Sequence, residues 1–138
     1  MNETTTTMTE IFKRDPFAQK LNIELIDWGK GYAKTALTIM EDMLNFHDAA
    51  HGGLIFSLAD YAFAVASNSH GQVAVGISTN MSYVAAGKLG ERLICTATEI
   101  NNNGRLAIYE MEVKANGELK ARMEGMVYRK RENFVETS

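Results

Sequence analysis

Two spacings of apolar residues alternate along the 138-residue chain. From Gly52 onward, Leu54, Ile55, Leu58, Ala59, Ala62, Phe63 and Ala66 recur at the spacing of one helical face, and Phe56 and Val65 carry that face almost around the axis. A helix this apolar is expected to be wrapped by other elements and to end between Ser67 and Gly71. The flanking segments read as strands. Ile23 to Trp28 and Tyr32 to Ile39 are extended runs joined by a turn at Gly29-Lys30-Gly31, whereas Met40 to Ala50 has no clear period and reads as a loop. After the helix come Val73 to Val84, Arg92 to Ile100, Arg105 to Ala115 and Leu119 to Tyr128. Asn101-Asn102-Asn103-Gly104 and Asn116-Gly117 separate the last three, and Asn-Gly is a two-residue hairpin signal because both residues must take positive φ. Ahead of the strands, Ile11, Phe12, Phe17, Ala18 and Leu21 predict a short helix broken near Asp15-Pro16.

The expected order is therefore two strands, one buried helix, then four strands in a meander. One core helix wrapped by an antiparallel sheet is an α+β fold. The length suits a single domain, placed at residues 11–130, with a flexible N-terminus over 1–10 and a C-terminal tail over 131–138.

A formal net charge of −3 without a long basic run argues against nucleic acid as a partner, because phosphate-backbone binding needs concentrated Lys and Arg. A small anionic ligand needs only a few local basic residues and stays open. Cys95 is the only cysteine, so no intramolecular disulfide forms and a reducing compartment fits. Met1 to Thr9 is polar and threonine-rich, unlike a signal peptide. The most apolar stretch, Gly52 to Ala66, is interrupted by Asp60 and falls short of a membrane span. A cytoplasmic protein with no membrane partner is expected.

Asp60 changes the picture most. It is the only charged residue between Gly52 and Ala66, where Ser57 and Tyr61 are the only other polar ones. An unpaired buried carboxylate is costly, so such a group is paired, solvated in a cleft or protonated. It either serves chemistry or lies on a narrow exposed stripe. Upstream, His51-Gly52-Gly53 opens the helix. Two glycines let a ligand carbonyl approach the backbone, and the first N–H groups of a helix have no intrahelical partner and sit at its positive end. That is a donor site for a developing oxyanion. His51 has three readings: donor to a substrate carbonyl, acid or base, or partner of a neighbouring loop. Asn45 precedes it in the loop, where an amide can orient a water or simply satisfy a turn. His47 and His51 lack the continuous helix that metal spacing needs, so no metal site is expected. His70 reads as a solvent or cap residue, and Cys95 as packed. No G-x-x-x-x-G-K-[ST], strand-linked G-x-G-x-x-G or G-x-S-x-G is present.

The run from Asn45 through His51-Gly52-Gly53 and Leu58-Ala59-Asp60 to Ala62-Phe63-Ala64 resembles the signature of the hotdog-fold thioesterases, closest to the phenylacetate-degradation (PaaI-type) branch. Asn68-Ser69, Ser78 and the Gly87–Gly90 turn extend the likeness over residues 11–130. The resemblance implies a curved antiparallel sheet around one long helix, and homodimers pairing into homotetramers with active sites at the dimer interface. It implies hydrolysis of an acyl-CoA ester to free acid and coenzyme A, with no metal or redox cofactor. Asp60 would be nucleophile or general base, the Gly52 N–H would polarise the carbonyl with His51 assisting, Asn45 would orient the water or the carboxylate, and Ser78 would add a hydrogen bond. Asn45, His51 and Gly52 would come from one subunit, Asp60 and Ser78 from the other. Substrate contacts are expected at Gly53, Tyr61, Met81, Tyr83, Gly87, Lys88 and Arg92, with Phe56 and Phe63 as further pocket or core residues. Members often carry Arg-Pro-Gly where this chain has Ala85-Ala86-Gly87. Lys88, Arg92 or Arg129-Lys130-Arg131 are the candidates to supply the missing charge. The rival readings are a hotdog-fold 3-hydroxyacyl thioester hydratase or dehydratase, using His51 and Asp60 as acid and base, and a non-catalytic acyl-CoA binding module.

Overall fold

The long apolar segment forms the helix around which everything else is arranged. In the computed structural model, which describes residues 2–135, the chain runs α1 (Glu3–Lys13), α2 (Pro16–Lys20), β1 (Glu24–Gly29), β2 (Tyr32–Thr38), a 3-10 turn at Glu41–Met43 and α3 (Gly52–Asn68). Then follow β3 (Gln72–Tyr83), β4 (Arg92–Asn102), β5 (Leu106–Ala115) and β6 (Glu118–Asn133). One curved, six-stranded antiparallel sheet in the order β1-β2-β4-β5-β6-β3 holds α3 against its inner face. This is the α+β hotdog architecture that the resemblance implies.

β5 illustrates the pattern that seats the helix. Ala107, Tyr109, Met111, Val113 and Ala115 are buried, while Ile108, Glu110, Glu112 and Lys114 point outward. From α3, Leu58, Ala59, Ala62 and Ala66 are fully buried in the shared core. Gly76 and Gly125 make room for the ring of Phe63, since a Cβ at Gly125 would lie 2.7 Å from Phe63 Cζ. At Asn116-Gly117 both residues take positive φ, as the β5–β6 hairpin requires.

Three features differ from the sequence reading. The four later strands are not a simple meander. Only β4, β5 and β6 follow one another, while β3 crosses over to pair with β6 and forms the far edge of the sheet. The residues read as a flexible start are helical from Glu3, because Asn2 caps α1 by accepting from the Thr5 N–H at 2.8 Å and because Met8 and Phe12 are buried. Trp28 Nε1 donates to Thr9 Oγ1 at 2.9 Å, which ties α1 to β1. At the other end, Arg131–Asn133 continue β6 and Val135 is buried, so the tail begins no earlier than residue 136, outside the described residues.

The C-terminal end of α3 is fixed by polar groups. Ser69 Oγ accepts from the Gly31 N–H at 2.7 Å, and Asn68 bonds the Ala74 backbone through both its amide oxygen and nitrogen. His70, expected to be a solvent or cap residue, pairs with Glu99 at 2.9 Å, and Tyr109 donates to the same carboxylate. Burial opposes the charge on Glu99, but these bonds prevail and hold its carboxyl below the ordinary range. Arg129, on β6, is buried against Asn102 and the Ser67 carbonyl.

Candidate active site

The loop before α3 is shaped by its own side chains. Asn45 Oδ1 accepts from the N–H groups of His47 and Ala49 at 2.8 and 3.2 Å, Asp48 takes a φ of 60°, and Leu44 bridges Ala50. This brings His51 to the N-cap of α3 with φ −61° and ψ 137°. Its Nδ1 accepts from the Gly53 N–H at 2.9 Å, which in the neutral ring leaves the proton on Nε2, free to donate outward. Leu54 and Ile55 donate to the His51 carbonyl. Among the first N–H groups of the helix, only that of Gly52 has no acceptor among the described residues. Tyr83 stands over it, with the hydroxyl donating to the Gly52 carbonyl at 3.1 Å.

These groups share one cleft of about 380 Å³, between Asn45, Ala50, Gly52, Tyr83 and the 84–87 segment. Gly87 is needed there for close packing, since a Cβ would come within 2.9 Å of Ile39 and 3.0 Å of Ala50. Asn45, Gly52, Tyr83 and Gly87 line this cleft, and His51 and Gly53 adjoin it at the start of α3.

Asp60 is not among them. It lies two turns farther along α3, roughly 12 Å by helical rise, and cannot reach the Gly52 N–H of its own chain. It occupies the stripe Gly53, Ser57, Asp60 and Ala64 that the chain's own sheet leaves uncovered. The helix is therefore wrapped on all sides but this one. Desolvation by the surrounding protein raises the Asp60 carboxyl above its ordinary value, and repulsion from Asp15, the N-cap of α2, adds to this. Asp15 carried no signal in the sequence beyond its place before Pro16. Beside Asp60 opens an apolar pocket of about 740 Å³ whose wall includes Phe12, Phe17, Tyr61, Ala64, Val65 and Phe134. Tyr61 shapes it from within: the side chain is buried, the hydroxyl donates to the Phe12 carbonyl at 2.7 Å, and burial pushes its pKa up to about 12.

The remaining candidates divide. A β-bulge after Gly76 shifts the β3 register, so Ser78 lies opposite Met126 on the outer face, away from α3. Thr79, opposite Gly125, takes the inner position that the alternation alone would assign to Ser78. Met81 faces Met123 and packs against the core, as do the half-buried Phe56 and the buried Phe63. Lys88 is exposed beside Gly87, with its N–H bonded to Glu91. Arg92 is spent on Glu24 at 2.8 Å and Arg129 is buried, so neither offers a free charge to the cleft. Cys95 is fully buried, its thiol pushed up to about 12 chiefly by burial, and it is unsuited to act as a nucleophile.

A sequence model described as the thioesterase superfamily matches residues 47–121, more than half of the chain and the whole of α3. The chain belongs to the thioesterase superfamily. Within it, a candidate esterase of Archaeoglobus fulgidus is 41% identical over 93% of this chain and 84% of its own. The acyl-coenzyme A thioesterase PaaI of Escherichia coli is 35% identical over 75% of this chain and 74% of its own. The solved structure of the E. coli PaaI protein, from the phenylacetic acid degradation operon, superposes with a TM-score of 0.90 at 30% identity over 94% of this chain and 95% of that one. This places the chain in the PaaI-type, hotdog-fold branch and makes it an enzyme, a thioester hydrolase. No described helix is long and apolar enough to cross a membrane.

Proposed function

We propose that this thioesterase hydrolyses an aryl- or short- to medium-chain acyl-CoA to the free acid and coenzyme A, at a site shared by two copies of the chain. One observation carries the reading. The only uncommitted N–H at the start of α3 and the only carboxylate on that helix are too far apart within one chain to act on one carbonyl. A second copy, laid across the uncovered Asp60 stripe and the exposed β3, closes that distance. Gly52, with His51 Nε2 and Asn45 beside it, then holds the thioester carbonyl and takes up the charge that develops on its oxygen. Asp60 of the partner copy either attacks that carbon, expelling the thiolate and leaving a mixed anhydride for water to open, or takes the proton of the attacking water. The pocket beside Asp60 accepts the acyl group, Thr79 on the inner face of β3 adds a hydrogen bond, and Lys88 is a cation available to the coenzyme A phosphates. Dimers pairing into tetramers, in the reducing cytoplasm, complete the proposal.

Thiol release from acetyl-, hexanoyl- and phenylacetyl-CoA tests it, with turnover expected for the larger two; silence across all three overturns it. In the same assay, mixing and reannealing inactive Asp60→Asn and Gly52→Pro chains is expected to restore about a quarter of wild-type activity, because half the dimers carry one intact site. Mixtures as dead as their parents would place the whole site in one chain. Asp60 must be ionised on either route, so hydrolysis fails as pH drops through a value above the ordinary carboxylate range. Asp15→Asn removes the nearby negative charge and is expected to move that acid limb to lower pH. An unmoved limb would show that Asp15 does not act on Asp60.

A further inference from the structure

The wall of the Gly52 cleft leaves β3 at Tyr83 and turns back at Gly87 without a strand on its outer side. Its backbone is held from β6 by a single residue. The N–H groups of Val84 and Ala85 both donate to the Lys120 carbonyl, at 2.8 and 3.1 Å, and Lys120 Nζ donates to the Ala86 carbonyl at 2.9 Å. The Lys120 side chain is almost completely buried, and its ammonium also reaches Glu118 at 2.7 Å and Glu91 at 3.5 Å. One residue farther on, the Gly87 carbonyl accepts from the Ala50 N–H at 2.8 Å, and Ala50 immediately precedes the His51 cap. An unbroken line of contacts therefore runs from the Lys120 ammonium through Ala86 and Gly87 to Ala50 and the start of α3.

A buried, ion-paired lysine is not needed for stability as such, because an apolar side chain of similar volume often does as well. What a lysine supplies here is a donor that reaches sideways to a carbonyl in a segment with no proline to stiffen it. We propose that Lys120 is a positioning residue, which sets the 84–87 wall against the Gly52 donor and thereby the affinity for the thioester that enters this cleft. The inference rests on the hydrolase reading above. On this proposal Lys120 places the cleft wall and leaves the Gly52 N–H itself in place, so its loss is read in KM rather than kcat.

The test uses the full-length protein and the coenzyme A ester it turns over best. Lys120→Met is expected to raise KM roughly tenfold and to change kcat by less than about twofold, the pattern of lost ground-state binding. Adding Ala86→Pro to that variant is expected to recover most of the affinity, because the Ala86 N–H makes no hydrogen bond among the described residues and proline restricts the same backbone. Glu118→Gln removes one carboxylate from the ammonium without touching the Ala86 contact and is expected to leave KM unchanged. The dissociation constant for free coenzyme A, measured by calorimetry on the same four proteins, needs no turnover and is expected to follow KM. A wild type that binds coenzyme A without releasing thiol would sink the hydrolase reading and leave this comparison intact. An unchanged KM and dissociation constant in Lys120→Met would overturn the proposal. So would a loss that Ala86→Pro does not recover and that only tracks a lower melting temperature, since Lys120 would then be structural.

Discussion

Replacing Asp60 by asparagine is expected to slow thioester hydrolysis by roughly a thousandfold while the protein stays folded and still binds coenzyme A. The amide has nearly the shape of the carboxylate, but it neither attacks a carbonyl nor accepts a proton from water. Asp60 is exposed in the single chain, so the substitution opens no cavity and strands no buried partner. The effect on stability has a definite sign. Folding raises the Asp60 pKa, so the stability it contributes is complete below its unfolded value and is lost as pH rises through its folded value. At neutral pH, Asp60→Asn is therefore expected to melt at or slightly above the wild-type temperature. Thiol release and thermal melting on one preparation check both parts. Activity within tenfold of wild type would remove Asp60 from the mechanism.

Gly52→Pro is expected to cost a hundredfold to a thousandfold in kcat, the loss typical of one oxyanion donor. It deletes that donor with little other disturbance. Gly52 is the first helical residue, a position where proline is favoured because its missing N–H had no intrahelical partner. His51 already has the extended conformation that a following proline demands. A Cβ at Gly52 would meet the Tyr83 ring at 3.4 Å, an ordinary contact. Gly52→Ala adds the same carbon and keeps the N–H, so it controls for bulk and is expected to lose far less activity. Equal losses in the two variants would mean that this N–H does not act on the substrate, whatever else the cleft does.

Much of the molecule was legible because its signals are local. The 3.6-residue spacing from Leu54 to Ala66 specifies a buried helix on its own, and Asn116-Gly117 specifies a hairpin whatever surrounds it. The charge of Asp60 within that apolar face stood out for the same reason. What escaped depends on pairing between distant residues. Nothing within Gln72–Tyr83 says that β3 pairs with β6 rather than β4, because both neighbours would satisfy the same alternation. The bulge after Gly76 exchanges the faces of Ser78 and Thr79, and a glycine in a strand was the one available hint. Residues 3–10 looked too polar to order, yet Met8, Phe12 and the Asn2 cap suffice once Trp28 and Tyr61 stand opposite them. Lys120 resembled any other strand lysine until Ala86 was seen within reach of it.

The uncovered edge of β3 bears on how the protein survives in a cell. Its outer backbone groups have no strand neighbour among the described residues, and Val75 and Ile77 are 39% and 54% exposed along it. A twelve-residue strand left open in this way can be extended by any other unpaired strand it meets, including one from an unrelated unfolded protein. On the dimer proposed above, newly made chains are at greatest risk before they find a mate, and scarce expression prolongs that interval. On the same proposal, substitutions that weaken the pairing, even far from Asp60, are lost to precipitation or proteolysis before any lack of turnover is felt.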